Sequence, residues 1–176
     1  METLKNMKYI YFLALMTAFA MSLYFFEMFI PQPLPFMKIG LSNIVVLLLV
    51  FSLYAREALF VATVKSVIGA FFTGTLISPT FLLSFTGACF SCFMMVLALK
   101  CLKNLSIIGL SIIGAFTHLV AQLFMVRLVI IQTDSIFNLY PLIVLSAVIT
   151  GFITGLFAYI LLKHINIRSM YVKACY

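Results

Sequence analysis

Residues 58–99 read ALFVATVKSVIGAFFTGTLISPTFLLSFTGACFSCFMMVLAL, and this stretch decides how the whole chain is interpreted. Lys65 is its only charged residue, and the long apolar runs on both sides of it are typical of membrane-spanning segments. An ammonium group at bilayer depth costs at least about 2.5 kcal/mol, so it is expected to face the protein interior. We therefore predict a protein-lined polar cavity around Lys65.

The composition places the chain outside the range of soluble globular domains. Of 176 residues, 65% are hydrophobic and 9% are charged, and tryptophan is absent. Lipid cannot hydrogen-bond an open backbone, and the segments lack the alternation of an outer-membrane barrel, so the spans should be helical. We predict an all-α integral membrane protein, a single membrane domain over residues 1–176, with six transmembrane helices at about residues 9–29, 39–54, 58–75, 81–99, 106–131 and 140–162.

The positions of lysine and arginine predict the orientation of this six-helix bundle. One set of predicted span ends carries Lys5, Lys8, Arg56, Lys100, Lys103, Lys163, Arg168 and Lys173. The loops on the opposite side hold only Lys38. Because cytoplasmic loops carry the excess of cations, both termini are expected in the cytoplasm. The excess of cations in the predicted cytoplasmic segments thus explains the net charge of +7. We therefore expect the chain to contact membrane lipid and not to bind nucleic acid.

The fifth predicted span carries a stripe of small and polar residues. Ser111, Gly114, His118 and Gln122 recur every three or four positions, so they share one helix face, which should point into protein. The imidazole and amide groups fit either a ligand site or an interhelical hydrogen bond that fixes packing. The sequence leaves both interpretations open.

Arg127 lies nearer the outer end of the same span and has three interpretations. It can snorkel to the headgroups, form an ion pair with Glu27 or Asp134, or receive an anionic ligand. The candidate ligand-binding residues are Lys65, His118, Gln122, Asn43, Lys38 and Arg127. Cationic and hydrogen-bonding side chains favour a small-molecule ligand with an anionic or hydrogen-bond-accepting group. The Phe-rich and Met-rich walls around them favour an apolar portion in the same ligand.

Two further features have both a structural and a functional interpretation. The loop PQPLPFMK at residues 31–38 is stiffened by alternate prolines and is either a rigid connector or a lid over the cavity. Ala14 and Ala18 lie four residues apart on the first helix, as Gly151 and Gly155 do on the sixth. This spacing lets helices approach closely, either inside the bundle or at a partner subunit.

The sequence contains no recognisable catalytic, metal or cofactor motif. Cys89 and Cys92 have a zinc-like spacing, but no second pair of ligands accompanies them, so we interpret them as packing residues. A Gly-rich phosphate loop ending in Lys-Ser or Lys-Thr is also missing from the sequence. We expect the chain not to be an enzyme by itself and to need no cofactor.

Two stretches of the chain resemble a known family. They are KIGLSNIV at residues 38–45, after the Pro-rich loop, and GAFTHLVAQ at residues 114–122. In these the chain resembles the bacterial Gx transporter family, often labelled heptaprenyl diphosphate synthase component I, which in turn is similar to the S components of energy-coupling-factor transporters. The resemblance implies a multi-pass protein of the bacterial inner membrane, with a pocket that opens outward under the first loop. It also implies that Ala14 and Ala18 dock a coupling transmembrane subunit.

The leading interpretation is a substrate-binding membrane subunit of a small-molecule or vitamin-type importer, energised by partner ATPases. One alternative is a membrane subunit associated with polyprenyl diphosphate metabolism, and another is a structural subunit of a membrane redox complex. Prenyl chain elongation uses two clusters of aspartates that hold magnesium against diphosphates, whereas this chain has one aspartate, Asp134, and three scattered glutamates. Synthase activity of the chain alone is therefore not expected.

Overall fold

The computed structural model describes residues 2–30, 40–102, 104–129 and 140–164, and all secondary structure in these ranges is helical. The helices are α1 (Glu2–Met28), α2 (Asn43–Phe51), α3 (Ala55–Phe72), α4 (Pro79–Cys101), α5 (Ile107–Val129) and α6 (Tyr140–His164). The all-α prediction is therefore confirmed for the described part of the chain. The Pro-rich loop, Lys38 and Asp134 lie outside the described residues.

Four of these helices are long and apolar enough to cross a membrane. They are α4, α5, α6 and the Met7–Met28 part of α1. A spanning helix needs about 20 mainly apolar residues, and these four satisfy that requirement. The prediction of a membrane protein is thus supported by four spans among the described residues.

Helix α2 occupies the centre of the bundle. It has 9 residues, and every side chain from Ile44 to Val50 is buried. It packs against each of the other five helices, which explains why it is hydrophobic on all sides. Its length of about 14 Å is half of what a hydrocarbon core requires. The predicted span at 39–54 is shorter as a helix because turns occupy both of its ends, with Leu53 at a φ of 68°.

Helix α3 is mainly apolar, but it carries three charged residues, Arg56, Glu57 and Lys65. Glu57 is 8% exposed and accepts a hydrogen bond of 3.2 Å from the hydroxyl of Tyr9 on α1. The turn that follows α3 needs Gly74, which has a φ of +67°. Pro79 then begins α4, where a missing backbone N–H is tolerated.

Glycines of α6 bring its backbone against α5. A Cβ placed on Gly151 would lie 2.7 Å from Cα of Ile112, and one on Gly155 would lie 2.9 Å from Cα of Ile108. A hydrogen bond of 2.8 Å between the hydroxyls of Ser111 and Thr154 joins the two helices at the same level. The spacing of Gly151 and Gly155 therefore serves packing inside the bundle.

We expect Gly151→Ala to destabilise the protein, because the new methyl group meets backbone that cannot rotate away. Overpacking of this kind costs about 1 to 3 kcal/mol. The measurement is the thermal unfolding midpoint of the protein in detergent. Gly109→Ala is the matched control, since a Cβ at Gly109 meets the mobile side chains of Leu105 and Ser106. Equal midpoints for the two variants would contradict the close α5–α6 contact.

Candidate ligand-binding cavity

A cavity of about 340 Å³ lies at one end of the bundle, and all six helices contribute to its wall. Helices α1 and α3 reach it near their C-terminal ends, and α2 and α4 reach it near their N-terminal ends. Helices α5 and α6 contribute residues near their midpoints. Its polar wall includes Tyr24, Glu27, Ser42, Asn43, Lys65 and His118. The sequence-based expectation of a polar cavity around Lys65 agrees with this arrangement.

Lys65 is held in the cavity wall by the segment before α2. The side chain is 4% exposed, although it carries an ammonium group. That ammonium donates hydrogen bonds to Oγ of Ser42, at 3.1 Å, and to Oδ1 of Asn43. Buried charges require such polar contacts, since an isolated charge in an apolar medium is very costly. Ser42 and Asn43 therefore provide hydrogen-bond acceptors for the buried ammonium of Lys65.

Glu27 holds the other end of the same segment. It is 3% exposed, it lines the cavity, and its Oε1 accepts a hydrogen bond from the backbone N–H of Gly40. Gly40 has a φ of +84°, a conformation that favours glycine. Its carbonyl accepts a 2.8 Å hydrogen bond from the N–H of Asn43, which closes a tight turn. The Gly-Leu-Ser-Asn element thus lies between a carboxylate and an ammonium.

Glu27 is a cavity residue that was not predicted from the sequence, where it was named only as a possible ion-pair partner of Arg127. One signal was available, because Glu27 lies in an apolar span shortly before the Pro-rich loop. The rule that identified Lys65 applies equally to an acidic residue at bilayer depth. Ser42 lies in the quoted KIGLSNIV stretch but was not singled out there, and Tyr24 gave no comparable signal, since hydroxyl groups are common in apolar helices.

His118 lies against a glycine of the neighbouring helix. A Cβ at Gly87 would be 2.9 Å from Cε1 of the imidazole, so α4 makes room for the ring only because residue 87 lacks a side chain. Gly69 on α3 plays the same part for Tyr24, whose ring would lie 3.0 Å from an added Cβ. Gly69 therefore accommodates the aromatic side chain of Tyr24 from α1.

The structure brings three of the six candidate ligand-binding residues, Lys65, His118 and Asn43, to this cavity. Among the described residues, Gln122 and Arg127 are half-buried and do not line it. The reason is local packing, because Leu123 and Val126 join an apolar cluster with Leu83 of α4. Lys38 lies outside the described residues.

A small polar recess of about 30 Å³ adjoins the main cavity at Gly40 and Asn43. Its wall includes the hydroxyls of Ser91, Ser111 and Thr154. Ser91 Oγ donates a 2.7 Å hydrogen bond to the carbonyl of Gly114, so α4 and α5 are joined here. A recess of this size suits one water molecule or the tip of a ligand.

The hydroxyls of α6 bond mainly to their own backbone. Ser146, Thr150 and Thr154 each donate to the carbonyl four residues earlier, at 2.6 to 2.8 Å. This is the common outcome for such residues in apolar helices. Thr150 nevertheless lines the main cavity. Ala14 and Ala18, in contrast, are exposed on the outer surface of α1, roughly two to four turns before the cavity residues Tyr24 and Glu27.

Comparison with known proteins gives one family. The family model described as heptaprenyl diphosphate synthase component I matches residues 16–161, which include all the described residues of the cavity wall. No curated protein and no solved structure matches the chain. The match covers most of the chain, so this protein belongs to the heptaprenyl diphosphate synthase component I family.

Proposed function

We propose that this protein is the substrate-binding membrane subunit of a small-molecule importer in the bacterial inner membrane. The observation that carries the proposal is the cavity at one end of the bundle, with buried charged side chains in its wall. The protein binds the molecule from outside and releases it inward with the help of a coupling subunit and ATPases. By itself it catalyses no reaction.

The size and lining of the cavity support a small ligand. A volume of about 340 Å³ is within the range of small-molecule pockets, near its lower limit. At ~30 Å³ for each water-sized group, it accommodates roughly a dozen such groups. Met28, Phe81 and Leu119 provide apolar walls beside the charged ones. This combination suits a compact molecule with both polar and apolar parts.

Charge distribution supports an outward-facing cavity. Lys8, Arg56, Lys100 and Lys163 are exposed, and each lies near a helix end remote from the cavity. Cytoplasmic segments carry the excess of cations, so that end of the bundle lies in the cytoplasm. In the proposed arrangement all six helices belong to the membrane domain, both termini are cytoplasmic, and the cavity opens to the outside.

The family description is also compatible with an alternative function, a membrane subunit associated with polyprenyl diphosphate metabolism. A heptaprenyl chain has tens of carbon atoms and exceeds a cavity with room for roughly a dozen water-sized groups. The alternative therefore requires most of the prenyl chain to lie in lipid. Prenyltransferase activity that appears only when this protein is combined with a soluble synthase subunit would support it.

We expect the proposed orientation to be visible by cysteine labelling in intact cells. On a background without native cysteines, Gln32→Cys and Asp134→Cys should react with an impermeant maleimide. Lys103→Cys should react only after the cells are opened, because in the sequence Lys103 belongs to the segment after α4 for which a cytoplasmic position is proposed. The opposite labelling pattern would overturn the orientation and, with it, an outward-facing cavity.

Substitution of the cavity residues should weaken binding without loss of fold. Lys65→Met and His118→Leu should each reduce affinity by about 1 to 3 kcal/mol, the cost of a lost buried polar contact. Native mass spectrometry identifies the molecule that the purified wild-type protein carries, and titration of that molecule gives the affinities. Gln122→Leu is the matched control, since Gln122 lies on α5 outside the cavity wall. Equal losses in all three variants would contradict the cavity assignment.

The exposed alanines of α1 should serve assembly. We expect Ala14→Leu with Ala18→Leu to reduce co-purification of a co-expressed coupling subunit and its ATPases, because bulky side chains prevent close helix approach. Ligand affinity should stay unchanged. Val67→Leu and Val148→Leu, both at exposed positions on other helices, are the controls. Normal assembly of the variant that carries both Ala14→Leu and Ala18→Leu would assign these residues to lipid contact instead.

A further inference from the structure

Two opposite charges line one cavity, and each is fixed by neutral groups of the same short turn. Oε1 of Glu27 accepts the N–H of Gly40, whereas the ammonium of Lys65 donates to Ser42 and Asn43. Both charged side chains are more than nine-tenths buried, at 3% and 4% exposure. The cavity wall therefore carries an acidic and a basic position that the turn holds a defined distance apart.

We infer that the cavity selects an amphoteric small molecule, with an anionic group bound at Lys65 and a cationic or strongly donating group bound at Glu27. This inference rests on the proposed function and specifies its substrate class. A carboxylate offers about four lone-pair sites, so the Gly40 N–H, which is the side-chain partner of Glu27 among the described residues, leaves room for a donor of the ligand. An ammonium has three N–H donors, and the Lys65 ammonium can exchange its neutral acceptors for an anionic one.

The turn sets the separation of the two ligand groups. Asn43 N–H bonds to the carbonyl of Gly40, so residues 40 and 43 are the ends of a single tight turn. The Cα atoms at the ends of such a turn lie within about 7 Å of each other. Glu27 and Lys65 contact these two ends from different helices. The ligand groups are thus expected to be separated by a short spacer, and the side chains of Phe81 and Leu119 make apolar wall for it.

The same geometry disfavours a polyanion. A diphosphate would gain from Lys65 but would bring several negative charges beside the buried carboxylate of Glu27. Like charges repel strongly in a poorly solvated site, because little water screens them. An amphoteric molecule avoids this repulsion, since its positive group faces the carboxylate. Glu27 is therefore the residue that makes the cavity selective for amphoteric molecules over simple anions.

Three probes of similar size test the assignment by calorimetric titration of the purified full-length protein in detergent. The amphoteric probe is 4-(2-aminoethyl)benzoate, the anion-only probe is 4-ethylbenzoate, and the cation-only probe is 4-methylphenethylamine. We expect the amphoteric probe to bind at least about tenfold more tightly than either analogue, since each charged hydrogen bond contributes about that factor. Inorganic diphosphate should bind more weakly than the amphoteric probe.

Charge-neutral variants assign each preference to a residue. In Glu27→Gln, where the amide oxygen still accepts the Gly40 N–H, the amphoteric and anion-only probes should bind within about twofold of each other. In Lys65→Met the amphoteric and cation-only probes should become similar in affinity. Glu57→Gln is the matched control, because Glu57 is buried at the other end of α3 and bonds to Tyr9. It should keep the wild-type preference.

Several outcomes would overturn the assignment. Tighter binding of 4-ethylbenzoate or diphosphate than of the amphoteric probe to the wild-type protein would do so, as would an unchanged preference in Glu27→Gln. No binding of the amphoteric probe would also reject an amphoteric ligand with this charge spacing. These titrations need neither ATPases nor a coupling subunit. Tight binding of an anion-only probe would therefore reject the ligand class and leave the proposed substrate-binding role intact. Failure of the wild-type protein to co-purify with a coupling subunit and ATPases would instead reject the importer role and leave the ligand class intact.

Discussion

The burial of the Lys65 ammonium is the constraint on which the rest of the structure depends. An ammonium in an apolar bundle must have polar contacts, and the segment before α2 supplies them through Ser42 and Asn43. This requirement fixes α2 against α3 and leaves a polar wall where an apolar core would otherwise close. The start of the short central helix and the polar wall of the cavity thus meet at this one buried charge.

Packing elsewhere in the bundle keeps that wall in place. Glycines 151 and 155 bring α6 onto the backbone of α5, and Gly87 lets the His118 ring lie against α4. Helices in lipid gain little from hydrophobic association, so close backbone contact and interhelical hydrogen bonds provide much of their cohesion. The small residues therefore determine how near the helices approach, and through this the shape of the cavity.

Glu27 gives the site its electrostatic character. Its carboxylate binds the Gly40 N–H at one end of the turn, while Lys65 binds the other end. A single four-residue element thus orients an acid and a base toward one ligand space. The family description names diphosphate chemistry, yet a site of this charge pattern suits a molecule that carries both signs. The turn and the proposed ligand site thus share the same two charged side chains.

The sequence by itself determined the helical membrane class, because lipid excludes other backbone arrangements, and it identified Lys65, because a lone charge at depth requires an internal site. It placed the six helices in order but not the nine-residue length of α2, which begins after the turn that Glu27 and Lys65 contact and ends at a second turn around Leu53. Only the tertiary structure decided that Glu27 joins the cavity and that Gln122 does not. Helix periodicity shows which residues share a face, whereas the side chains that line a cavity depend on contacts between distant parts of the chain, such as the packing of Leu123 against Leu83.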